Sequence, residues 1–149
     1  MNDYKLAEIQ ISYSCDVPKD KRRKIRSSTD AYVIAQAVWN MDTIEIQEEF
    51  KILLMNRANE VIGVYFLSKG GITGTIVDPK LVFGIALKCS ACSIVLIHNH
   101  PSGALRPSSI DLELTRKLKK GGKLLEISVL DHIILTKDGY YSFADEGHL

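Results

Sequence analysis

Four residues in one short stretch, His98, His100, Ser108 and Asp111, carry side chains that can bind a metal or move a proton. His98 and His100 follow the apolar run SIVLI (93–97), and in extended chain residues i and i+2 project to the same side. The two imidazoles can therefore approach one ion together. Pro101 comes next, then six residues, Ser108, two residues, and Asp111, which falls in the first turn of a predicted helix. Two imidazoles and one carboxylate oxygen suit Zn²⁺ and leave a fourth position open for water. Ser108 and Asp111 also form a Ser-x-x-acid capping box, which would start the helix and fix Asp111 toward an ion.

Other patterns compete for attention. Cys89 and Cys92 form a Cys-x-x-Cys, but the strand between them and His98 spans roughly 20 Å, so a shared ion is excluded. Zinc nucleobase deaminases need His-x-Glu and Pro-Cys-x-x-Cys, and neither occurs here. The contiguous letters HNH at 98–100 do not match an HNH nuclease, whose residues come from separated positions of a hairpin and a helix. In VPKDKRRKIRSS, Lys19, Lys21, Arg22, Arg23, Lys24 and Arg26 form a solvated loop or a basic patch for phosphate. Nucleic acid could be a partner through this loop, 19–26.

The elements that must position these residues can be read from hydrophobic periodicity. Residues 4–14 (YKLAEIQISYS), with Leu6, Ile9 and Ile11, read as a strand. A helix is expected from Ser28 to about Met41, capped by Ser28 or Thr29, with Val33, Ile34, Ala37, Val38 and Trp39 at helical spacing. EFKILLMN and VIGVYFLS, separated by RANE, predict a β-hairpin. Gly70, Gly71 and Gly74 predict a turn and a short strand ending in Thr75-Ile76-Val77. Asp78-Pro79 opens a helix burying Leu81, Val82, Ile85, Ala86 and Leu87. SIVLI reads as a central strand covered on both faces. A helix over 109–120, carrying Ile110, Leu114 and Leu118, is expected to end at Gly121-Gly122. ISVLDHIILT and YYSFA complete the chain as strands around KDGY. The expected fold is α/β (α+β), one mixed sheet sandwiched by helices.

Composition bounds the function classes. A chain of 149 residues is one domain with room for a real core, and 19 basic against 18 acidic residues exclude a strongly cationic nucleic-acid binder. Neither a membrane span nor a secretory signal is legible, and the three cysteines suggest reduced thiols, so a soluble cytoplasmic protein is expected.

His-x-His-Pro-x6-Ser-x2-Asp resembles the JAMM signature of JAB/MPN-domain metalloproteases. The wider match, HNHPSG, PSSIDLELT and VLDHIIL, is similar to the RadC-like branch and covers about residues 45–146. The resemblance implies a JAB/MPN (cytidine deaminase-like) architecture over 31–149; residues 1–30 read, from their own pattern, as an N-terminal strand and basic loop of the same globule. It implies zinc held by His98, His100 and Asp111, and Ser108 helping to hold the oxyanion. It also implies an upstream glutamate as general acid/base, to be chosen from Glu45, Glu48, Glu49 and Glu60. In the RadC-like branch that residue lies in a Glu-x-Phe segment, which selects Glu48 before Phe50. Strand alternation agrees, since Glu48 shares a face with Phe50, Ile52 and Leu54, and Glu49 with Lys51. Asp131-His132, in the family's VLDHII segment, reads as strand-end packing or support behind the ligands. The activity implied is hydrolysis of a peptide or isopeptide bond in a protein or peptide substrate. A metal-stabilised binding module and the DNA-repair accessory role traditionally attached to RadC are the alternatives.

Overall fold

The computed structural model describes residues 4–71 and 74–149. After a 3-10 turn at Lys19–Lys21 come α1 (Ser28–Val38), β1 (Glu49–Met55), β2 (Val61–Lys69) and α2 (Pro79–Lys88). β3 (Ser93–Asn99), α3 (Ser109–Leu124), β4 (Ser128–Leu135) and β5 (Tyr140–Ser142) follow. The strands form one mixed sheet in the order β2-β1-β3-β4-β5, in which only β3 and β4 run parallel. The architecture is α+β, as expected for a JAB/MPN domain. No described helix is long and apolar enough to cross a membrane.

Strand alternation divides the core in two. Leu53 and Met55 of β1, Val95 and Ile97 of β3, and Ile133 and Leu135 of β4 pack with Ala31, Ala35 and Trp39 of the α1 region. On the other face Phe50, Ile52, Leu54, Ile94 and Leu96 meet Val82, Phe83 and Ala86 of α2 and Leu118 of α3. β3 is buried along its whole length, because it lies between β1 and β4 and is covered on both faces.

Several expectations give way to packing. Residues 4–14 form no strand: Leu6, Ile9 and Ile11 are 87%, 82% and 72% exposed. Their spacing does not put them on one face, and the segment joins no ladder; Tyr13 donates its hydroxyl to Ile62 O at the sheet edge. In α1 the cap is Ser27, whose hydroxyl accepts from Asp30 N, and the buried stripe is Ala31, Ala35 and Trp39 while Val33 faces solvent. In α2 Phe83 is inside, and Leu81 and Leu87 are outside. The strand expected to end at Val77 is absent over 74–77, and residues 72 and 73 lie outside the described residues.

α3 does not stop at its glycines. A Cβ on Gly121 would lie 2.8 Å from the Phe83 ring, and one on Gly122 would lie 2.3 Å from Ile127 O. Both glycines serve close approach within the helix, and the chain leaves it only after Leu124. Ile110, one of the three apolar residues spaced along α3, is 73% exposed and lines a cleft at its N-terminal end.

Candidate metal centre

Three elements deliver the polar cluster to one end of the sheet. β1 and β3 pair with Phe50 opposite His98, so Glu48, immediately before β1, lies on the same face as His98. His100 leaves β3 with its backbone N–H donating to Leu135 O of β4, and Gly103 closes the following turn by donating its N–H to His100 O. Gly103 has φ of 81°, a conformation that glycine adopts without a Cβ clash. The capping box then starts α3: Asp111 N donates to Ser108 Oγ, and Ser108 N donates to Asp111 Oδ2.

The outcome is four potential ligand atoms on Glu48, His98, His100 and Asp111 within 4.8 Å of one another. His98 Nε2 lies 3.0 Å from His100 Nε2 and 3.4 Å from Asp111 Oδ2. His100 Nε2 lies 3.2 Å from the same Oδ2, and Glu48 Oε1 is 3.7 Å from His98 Nε2. The Phe50 ring lies parallel to that of His98, with ring centres 5.9 Å apart. His100 Nδ1 is 2.8 Å from Ala104 O, a carbonyl that can only accept, so that nitrogen carries a hydrogen and Nε2 faces inward.

The electrostatics suit a bound cation. Burial raises the Glu48 pKa, with the nearby Asp111 charge adding to the effect and His98 and His100 opposing it. Burial also opposes ionisation of Asp111. The close His100 and His98 rings and the N–H donated by Ser108 outweigh that and hold the carboxyl well below the usual carboxylate range. For His100, burial lowers the pKa, but the bonds to Asp111 and Ala104 O dominate and raise it. Glu48, His98, His100 and Asp111 line a cleft of about 730 Å³, walled by Phe50, Val77, Pro101, Ile110 and Leu114, with Ser108 and Arg106 also on its lining.

The other glutamates lie elsewhere. Glu49 faces the α1 side between Lys51 and Lys69, at 3.8 Å and 3.7 Å. Glu60 pairs with Arg22, and Glu45, at the cleft's rim, pairs with Lys137. Cys89 and Cys92 are free thiols at the opposite end of β3 and do not join the cluster. No residue of the basic loop 19–26 lines the cleft. Asp131 turns to the α1 face and holds Ser142 Oγ and Ala144 N, whereas His132 stands directly behind His98.

A profile of the RadC-like JAB domain matches residues 25–148. The chain belongs to this family. It is 48% identical over 128 residues to a UPF0758 protein of Flavobacterium johnsoniae, covering 85% of this chain and 54% of that one. A UPF0758 protein of Porphyromonas gingivalis is 38% identical over 134 residues, covering 89% and 59%. One from Methanococcoides burtonii is 39% identical over 130 residues, covering 87% and 56%. The chain thus spans little more than half the length of these curated relatives.

Two contributors to the site escaped the sequence motif. Asn99, between the two histidines, points to the opposite face. It accepts from Glu49 N and donates to Ile44 O and Gln47 O, pinning the segment that presents Glu48. The i+1 position of a His-x-His strand is where alternation would have located such an anchor. Thr115, one turn beyond Asp111, had no comparable signal.

Proposed function

We propose that this RadC-like JAB domain is a zinc-dependent metallopeptidase that hydrolyses an amide bond, peptide or isopeptide, with His98, His100 and Asp111 as the zinc ligands. The observation that carries the reading is the set of separations among their inward-facing atoms, 3.0, 3.2 and 3.4 Å. Zinc–ligand bonds of 2.0–2.1 Å in a tetrahedral shell put neighbouring donor atoms about 3.3 Å apart. The donor set also fits chemically, since two neutral imidazoles and a carboxylate suit zinc and leave a position for water. Bound zinc supplies Lewis acidity, lowering the pKa of water toward about 7 and polarising a carbonyl.

The chain's own residues do the rest. Glu48, beside the ligand atoms, takes the proton of the attacking water and returns it to the leaving amine. A raised pKa suits a carboxylate that must hold that proton in transit. The Ser108 oxygen accepts Asp111 N–H, which leaves its own hydrogen free to donate to the developing oxyanion. Phe50, Val77, Ile110 and Leu114 present apolar surface to the substrate and exclude water from the reacting carbonyl.

Metal analysis of purified protein tests the proposal, with about one equivalent of zinc expected and lost in His100→Ala. Wild type is then screened against peptide and isopeptide libraries with Glu48→Gln as the control. Zinc retained in full by His100→Ala would place the ion elsewhere. A zinc-loaded wild type that cuts nothing in such libraries would favour a binding module.

A further inference from the structure

Behind His98 runs a line of buried polar groups, on His132 and Thr115, that the proposed chemistry does not use. His98 Nδ1 is 2.7 Å from His132 Nε2, His132 Nδ1 is 2.7 Å from Thr115 Oγ1, and Thr115 Oγ1 is 2.7 Å from Asp111 O. His98, His132 and Thr115 are all at most 1% exposed, so no water competes for these bonds.

The direction of every bond follows from its last member. Asp111 O is a backbone carbonyl and can only accept, so the Thr115 hydroxyl spends its one hydrogen there. Thr115 Oγ1 must then accept from His132, which puts a hydrogen on His132 Nδ1. His132 is fully buried and its two ring nitrogens meet only His98 and Thr115, with no carboxylate against them to balance a cation, so the ring is neutral with a single N–H. Its Nε2 is therefore bare and accepts from His98 Nδ1–H.

We infer that Thr115 and His132 are positioning residues that set the tautomer of His98, keeping its proton on Nδ1 and its Nε2 free to face His100 and Asp111. The hydrogen-bond logic is independent of any ion; its consequence for metal affinity rests on the metallopeptidase reading. The arrangement is self-referential. Asp111 offers its carboxylate to the cluster, while its backbone carbonyl, through Thr115 and His132, orients a second member of the same cluster. A hydroxyl bonded to the carbonyl four residues back is ordinary in helices, and a buried histidine can simply fill space. What a merely structural role does not explain is that both rings depend on one oxygen for their proton positions.

Nitrogen-15 NMR of the histidine rings tests this in wild type, Thr115→Val and Thr115→Ser, with zinc affinity measured in parallel by competition with a chelator. In metal-free wild type, His98 and His132 should both carry their ring hydrogen on Nδ1. Thr115→Val keeps the shape but removes the acceptor. The His132 proton then moves to Nε2, His98 Nδ1 must accept it, and the His98 hydrogen is driven to Nε2. Zinc affinity should fall about 10- to 100-fold, the range for losing a partner behind a metal ligand. Thr115→Ser should restore both tautomers and affinity, and the His100 Nδ1 hydrogen, held by Ala104 O, should be unchanged throughout. Wild-type protein with the His132 hydrogen on Nε2 overturns the inference without any variant. So does a Thr115→Val protein with wild-type tautomers and zinc affinity. A wild type with the stated tautomers that takes up no zinc supports the relay and overturns the metallopeptidase reading alone.

Discussion

Glu48 and Glu49 are consecutive, both buried, and on opposite faces of the sheet, and their surroundings differ in one decisive respect. Glu49 lies between two ammonium groups. Lys51 bridges it to the C-terminus of α1 by donating to Val38 O, with its Nζ 4.4 Å from the centre of the Trp39 ring. On that face the fold itself supplies the cations that meet the carboxylate. Glu48 instead joins His98, His100 and Asp111, whose inward-facing atoms are lone-pair donors at the edge of an open cleft. A buried carboxylate with its own cations is architecture. One that meets only other ligand atoms leaves a place for a cation from outside.

The sharpest way to break this contrast is to remove each carboxylate in turn. Glu48→Gln should retain zinc and a melting temperature near wild type while amide hydrolysis falls at least about 10²-fold, measured on whatever substrate the library screen yields. Glu49→Gln should behave in the opposite sense. It leaves Lys51 buried with a weaker partner, so stability should drop by about 1–3 kcal/mol in denaturant titrations while most activity persists. Reversed phenotypes would mean that the two faces have been misassigned.

A pH series sharpens the same comparison. The metal must displace any proton on His100, whose pKa is raised, so acid competes from a higher pH than for an ordinary histidine. Zinc affinity should therefore begin to weaken while the pH is still above about 6.5 and keep falling below it. An affinity that stays flat down to pH 5 would remove His100 from the ligand set. The smallest expected effect is at the other end of β3. Cys89→Ser with Cys92→Ser should leave zinc stoichiometry unchanged, because the strand separates them from the cluster.

Much of this was legible before any coordinates. The hairpin, the Asp78 cap with Pro79, the buried central strand and the start of α3 each depend on a local rule: a turn, a cap or a run of β-branched residues. The candidate cluster was legible for the same reason, since His98 and His100 share a strand face and Asp111 is fixed by its own capping box. Where the expectation failed, a partner distant in sequence decided. Gly121 and Gly122 look like a helix stop until Phe83 and Ile127 occupy the space their missing side chains leave. The apolar residues of 4–14 suggest a strand, but their spacing gives no single face and no neighbouring strand pairs with the segment.

Sequence by itself thus determined the residue types of the candidate cluster, their spacing and the face of the sheet on which Glu48 lies, because alternation and capping act within a few residues. Only the tertiary structure decided that Glu48, fifty residues before His98 in the chain, closes on the histidines. It alone aimed Asn99 at the segment holding that glutamate, and set His132 and Thr115 in line behind His98. Those contacts join β1, β3, α3 and β4, and a hydrogen bond between separate elements depends on how the sheet and helix pack. No local pattern encodes that geometry.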